Sequence, residues 1–201
     1  MALGGNNTFV AGNYAASSNG SFSYTGGSGE DSLTFGDNFA GDNGTATFDM
    51  SLGGDNTLVF GDNAAAGSSS SSIAYTGGSG SDSLTFGTAL LSGASSTATV
   101  DLDLGDDSAI DTVTFEGSVA SSGATVTIIN FDPSDGDTIV LQLYSNTADV
   151  TFTQTGGGSG TRVNVSNNVE FLIQGVPTGS LDVTTNTSGH VVITEATLIL
   201  A

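Results

Sequence analysis

Apolar and polar residues alternate in short runs along most of the chain. Thr45-Ala-Thr-Phe-Asp-Met-Ser-Leu52 and Thr97-Ala-Thr-Val-Asp-Leu-Asp-Leu104 keep a period of two, which predicts strands with one buried face. Shorter apolar runs, Leu33–Phe35, Leu58–Phe60, Leu84–Phe86 and Val113–Phe115, each follow a turn rich in Gly and Asp. Small-residue loops such as Ala64–Ser72 and Gly93–Ser96 come next. Val, Ile, Leu, Phe and Thr are strand formers, and 30 Gly against two Pro point to many turns and few helices.

The turns repeat. Tyr-Thr-Gly-Gly-Ser-Gly-Glu-Asp-Ser-Leu-Thr-Phe-Gly begins at Tyr24 and recurs at Tyr75 with Ser81 in place of Glu30. Related turns stand at Gly4, Gly53 and Gly105, so two turn types alternate with a superperiod near 50 residues. A unit of about 25 residues with two strands and two turns cannot bury its apolar stripe alone, whereas stacked copies can. The expected fold is all-β: a parallel β-solenoid over residues 1–141, then a β-rich cap over 142–201. In that second part Val150–Thr153, Arg162–Val165, Val169–Gln174, Leu181–Thr184, His190–Ile193 and Ala196–Leu200 read as strands, in the manner of a small β-sandwich. The cap is a candidate secretion or assembly segment.

Charge narrows the functional classes. Twenty-one acids face one Arg, one His and no Lys, for a formal net charge of −20. Such a chain repels nucleic acid and anionic membranes. Seventeen of the acids are Asp, a turn former with a short oxygen-bearing arm. With no cations to pair with, the folded chain needs bound cations to screen it. No Cys is present, and no run approaches the ~18 apolar residues of a membrane-spanning helix. The start carries no basic and apolar leader pattern, so export is expected by a route that does not read the N-terminus.

Gly26-Gly-Ser-Gly-Glu-Asp-Ser-Leu-Thr34 and Gly77-Gly-Ser-Gly-Ser-Asp-Ser-Leu-Thr85 both fit Gly-Gly-x-Gly-x-Asp-x-apolar-x. Glycines allow positive φ, so such a backbone wraps and aims carbonyl oxygens inward while the Asp closes the turn. Calcium takes six to eight oxygens. Here the sequence resembles the RTX nonapeptide-repeat proteins, which form calcium-filled parallel β-rolls and leave bacteria by type I secretion. The resemblance implies calcium ligands from Gly26, Gly27, Gly29 and Asp31 and from Gly77, Gly78, Gly80 and Asp82. Asp55, Asp106, Asp107 and Asp111 stand in degenerate turns. The run Val126–Leu141 is similar to the segment that closes such arrays and adds Asp132, Asp135 and Asp137. The bland reading is a tight turn without metal. Asp37, Asp42 and Asp62 are second-side ligands or ordinary Asx turns.

Other chemistry has little support. A Ser/His/Asp site needs a positioned base, and His190 is the single candidate, so it is read as structural and the chain as no enzyme. One His and no Cys argue against zinc. Arg162 reads as a surface residue. Phe35, Phe60, Phe86 and Phe115 recur at one repeat position and are expected to stack in the core, the alternative being an exposed aromatic strip. Thr45/Thr47, Thr97/Thr99 and Thr125/Thr127 either fill outer strand faces or form a Thr ladder of the kind found on ice-binding solenoids. The sequence therefore predicts an extracellular structural protein. It would fold on calcium, with several ions, and assemble head to tail with itself into a filament, biofilm matrix or surface layer. The alternative is a calcium-dependent adhesin, with a cell-surface glycan as partner, or an ice-binding module.

Overall fold

The structure, a computed structural model, describes residues 4–67, 70–93, 97–119, 124–166 and 168–196. Eleven strands build the solenoid: β1 Asn7–Ala11, β2 Ser21–Thr25, β3 Asp31–Phe35, β4 Thr45–Asp49, β5 Thr57–Phe60, β6 Ser72–Thr76, β7 Ser83–Phe86, β8 Thr99–Asp103, β9 Thr112–Phe115, β10 Thr125–Ile129 and β11 Thr138–Leu141. Odd strands stack in parallel in one sheet and even strands in the other. The chain is thus an all-β parallel solenoid. Successive coils bring Asn7, Asp31, Asn56, Asp82, Asp111 and Asp137 together at steps of 24, 25, 26, 29 and 26 residues.

Period-two alternation decides what faces inward. Leu33, Leu58, Leu84, Val113 and Ile139 form one buried column of the odd-strand sheet. Phe35, Phe60, Phe86 and Phe115 form the next. Their centroids are 5.2, 4.9 and 5.6 Å apart with interplanar angles of 13°, 6° and 18°. Across the core the even-strand sheet supplies Tyr24, Phe48, Tyr75, Leu102 and Ile128. The repeated Phe is therefore a core ladder. Removing one such ring typically costs about 3–5 kcal/mol.

The Thr-x-Thr pairs do not form a continuous Thr ladder. On the even-strand sheet Thr45 lines up with Ser72, Thr99 and Thr125, while Thr47 lines up with Ala74, Asp101 and Thr127. Thr97 lies before β8 and does not share the Thr45 column. A regular array instead covers the odd-strand sheet. Thr8, Ser32, Thr57, Ser83, Thr112 and Thr138 form one outward column, and Val10, Thr34, Val59, Thr85, Thr114 and Val140 the other.

The cap is no separate sandwich. Strands β12 Val150–Gln154, β13 Gly160–Val165 and β14 Asn168–Gln174 extend the even-strand sheet as an antiparallel meander, with β14 pairing β10. Strands β15 Leu181–Thr185 and β16 Val191–Glu195 extend the odd-strand sheet through β16 and β11. The buried Phe171 and Val191 continue the core into these strands. His190 lies just before β16, where its backbone N–H donates to Asn186 Oδ1. Arg162 is exposed on β13. The expected strand at Ala196–Leu200 lies outside the described residues beyond Ala196. Among the described residues no helix is long and apolar enough to cross a membrane.

Candidate functional site

Every residue singled out for calcium falls at one corner of the solenoid, where even strands turn into odd ones. Gly26, Gly27, Gly29 and Asp31 join β2 to β3, and Gly77, Gly78, Gly80 and Asp82 join β6 to β7. Asp55 lies between β4 and β5, Asp106, Asp107 and Asp111 between β8 and β9, and Asp132, Asp135 and Asp137 between β10 and β11.

At that corner the backbone N–H at, or one residue before, the start of β1, β3, β5, β7 and β9 is taken by a side chain of the next coil. Asn7 N donates to Asp31 Oδ1 at 2.9 Å, Asp31 N to Asn56 Oδ1 at 3.1 Å and Asn56 N to Asp82 Oδ1 at 2.9 Å. Asp82 N donates to Asp111 Oδ1 at 2.7 Å and Asp111 N to Asp137 Oδ1 at 2.8 Å. Asp132 N closes the series on Asp137 Oδ2. Beyond Asn7, the members of this Asx ladder are buried, from 1 to 3% exposed. Asn7 and Asn56 also donate their side-chain N–H groups to Asp31 and Asp82. The alternation of turn types is thus an alternation of amide and carboxylate along one column. The Tyr75 hydroxyl donates to Asp82 Oδ2. One superperiod earlier, the Tyr24 hydroxyl and Asp31 Oδ2 are buried beside each other without a well-formed bond.

The motif glycines serve a different purpose from the one expected. Gly26, Gly29, Gly77, Gly78 and Gly80 do not adopt positive φ, whereas Gly53, Gly54 and Gly105 of the degenerate turns do. The full motif needs glycine for close approach. A Cβ on Gly29 would stand 2.4 Å from the Gly5 carbonyl carbon, and one on Gly80 2.4 Å from that of Gly54.

Past Asp82 the amide rungs cease and carboxyls stand in consecutive coils. Burial pushes Asp111 up to about 7, opposed by the Asp82 amide and reinforced by Asp137, Asp82 and Asp107. Asp82 and Asp137 are raised for the same first reason, with their N–H donors pulling the other way. Burial, then the Asp82 charge, raises Tyr75 well above its usual value.

These bonds test the fit of calcium. Asp82 already accepts from the Asn56 backbone, the Asn56 side chain and Tyr75, and Asp31 Oδ1 accepts from both donors of Asn7. The carbonyls of Gly5 and Gly54 accept the Asn7 and Asn56 amides. Oxygens ringed by N–H and O–H donors do not fit a cation that needs six to eight free oxygens. Among the described residues no group of three or more His, Cys, Asp or Glu side chains is arranged to hold a metal. Asp55 Oδ1 accepts Ser81 N. Asp106, Asp107 and Asp132 line a cleft of about 690 Å³ against the cap. In it Asp107 and Asp132 bond the backbone two residues on, at Ala109 and Ser134. Asp135 donates its backbone N–H to the Asp132 carbonyl.

The opposite corner carries a second, more exposed ladder. Asp37 N donates to Asn13 Oδ1, Asp62 N to Asp37 Oδ1 and Thr88 N to Asp62 Oδ1. Gly-Asp-Asn after β3 and β5 is its trace in the sequence.

The two ends of the rod differ. Residues 1–29 contain no charged side chain, residues 101–137 near the cap hold nine of the 21 acids, and residues 138–201 hold four acids and the single Arg. At the N-terminal end β1 and β2 each have, among the described residues, one edge without a neighbouring strand. Val10 is 72% and Tyr14 65% exposed, and the Phe9–Phe22 ring pair closes the core only in part.

Comparison with protein-family models, curated proteins and solved structures finds no match.

Proposed function

We propose that this chain is a non-catalytic structural solenoid that works outside the cell and joins to copies of itself. The observation that carries the reading is the uncharged, strand-edged N-terminal end on a rod that is otherwise strongly acidic. Unpaired edges template further pairing, and no side-chain charge in residues 1–29 opposes it. The extracellular location rests on the motif resemblance. Calcium has no step in this reading, because Asp82 and the Oδ1 of Asp31 already accept hydrogen bonds. Light scattering across a range of concentrations, with electron microscopy, tests it: association is expected, and a monomer at every concentration overturns it.

A second reading is favoured by the outer face of the odd-strand sheet. Its two columns of Thr, Ser and Val carry no charge. Rows are spaced about 4.8 Å and columns about 7 Å apart, close to repeats of the oxygen lattice of ice. Hydroxyls and methyls in register suit an ordered water lattice, and the face offers no aromatic ring for stacking on a glycan. Measurable thermal hysteresis, lost in Thr85→Lys/Thr114→Lys, is the expected result. No hysteresis in the native chain removes this reading and leaves the first intact.

A further inference from the structure

We infer that the N-terminal end docks on the N-terminal end of a second copy, giving a two-fold symmetric pair of rods rather than a head-to-tail filament. This rests on the self-association proposed above and specifies its geometry.

The main chain at this end is set to pair. Asn7 N and Ala11 O bond toward β3, so by strand alternation Thr8 and Val10 turn their N–H and C=O groups to the open edge. Gly20 O and Gly26 N bond toward β4, so Ser21, Ser23 and Thr25 do the same on β2. The Asx ladder is also unfinished here. Asn56 Oδ1 and each carboxylate rung receive the backbone N–H of the coil before, while among the described residues nothing donates to Asn7 Oδ1. Side chains agree: Asn6, Asn7 and Asn13 stand where the next coil has Glu30, Asp31 and Asp37. Two such ends meet without bringing acids together.

The C-terminal end is a poor partner for them. Its edge strands are β15 and β12. On β15 the Val183 N–H is taken by Asp182 Oδ1, and the short turn Thr147–Asp149 packs against that strand. On β12 the Gln154 side chain is tied to Thr178 and Gly160, and the turn Thr178–Ser180 packs beside it. Acidic edge residues and covering turns are devices that keep an edge unpaired. An end that meets its own kind forms an isologous contact, which closes at two copies. A two-fold axis reverses strand direction, so the joint pairs its edges antiparallel.

The chain contains no cysteine, so Thr8→Cys carries a single spin label beside the joint. Eight strands per sheet at about 4.8 Å separate equivalent labels by roughly 40 Å in a head-to-tail stack and by under about 20 Å across an N-to-N joint. Sedimentation and dipolar spectroscopy of the full chain are expected to give a dimer with the short distance. Val10→Pro/Ser23→Pro removes one outward N–H from each edge, and Tyr14→Glu adds a charge; each is expected to weaken association at least tenfold while the circular dichroism is kept. A monomeric native chain overturns both this inference and the reading beneath it. Open-ended polymers, or a dimer with the long distance, overturn the N-to-N joint and leave self-association standing.

Discussion

The two ends of this solenoid share a core and differ in how they treat polar groups. At the N-terminal end the ladder begins with an amide, Asn7, and the strand edges are bare. Toward the cap it runs through Asp82, Asp111 and Asp137, buried one above another, and the edges are guarded by Asp182 and short turns. The hydrogen-bond geometry of the rungs is nearly constant, 2.7–3.1 Å. What changes is the burial of charge. A backbone N–H needs only an oxygen in the right place, and amide and carboxylate supply it equally. They differ in what happens when that oxygen is taken out of water.

That contrast can be broken by substitution. The largest effect is expected for Asp82→Ala, which strands the buried donors of Asn56 and Tyr75. Urea unfolding should show a loss of about 3 kcal/mol or more. Asn7→Ala at the exposed end should change stability by no more than about 0.5 kcal/mol. Equal losses at the two ends would show that the rungs near the cap have no special weight.

Acidity sharpens the same contrast. Asp111 sits near 7 folded against a usual 3.8, so the bound proton favours the folded state. That contribution is complete below about pH 3.8 and fades as pH rises toward 7. Asp82 and Asp137 act in the same direction. Tm is therefore expected to rise from pH 8 to pH 5, the reverse of ordinary acid destabilisation. Asp111→Asn keeps the acceptor that Asn56 already provides elsewhere. It should flatten the pH profile and raise stability at pH 7 by about 1 kcal/mol.

The two Tyr/Asp pairs give a smaller comparison within one repeat type. Tyr75→Phe removes the bond to Asp82 and is expected to cost about 1 kcal/mol, while Tyr24→Phe removes a hydroxyl that has no bond and should be neutral or better. Equal costs would mean that Tyr24 and Asp31 are bonded in solution. The smallest effect is expected from chelator. With Asp82 and the Oδ1 of Asp31 already hydrogen-bonded, the β signal should be the same with EGTA as with calcium, and its collapse in EGTA would restore the metal.

Much of the fold was legible in the sequence because each level agreed. Period-two alternation, Gly/Asp turns and a repeat of about 25 residues all require stacked coils, and the Phe ladder follows from Phe35, Phe60, Phe86 and Phe115 recurring at one position. The site was legible only as a location. Gly-Gly-x-Gly-x-Asp marks the corner correctly, but the direction of the Asp side chain depends on the residue one coil away. Asn56 carried that signal: it occupies the Asp position of the intervening turn, and an amide there suits a hydrogen-bond rung better than a cation ligand. The β-rich cap was legible too, but sequence runs give strand lengths and not which edge they join, so its two halves could not be assigned to the two sheets. The ordered hydroxyl face was sought on the even strands, since Thr-x-Thr spelling is commoner there. Register, not spelling, lines up Thr8, Ser32, Thr57 and their successors.

The buried carboxyl column means that the folded rod is a weaker polyanion than its composition states. With Asp111 pushed up to about 7 and Asp82 and Asp137 raised as well, folding draws hydrogen ions from the medium, and a change in surrounding acidity adjusts charge in the interior column.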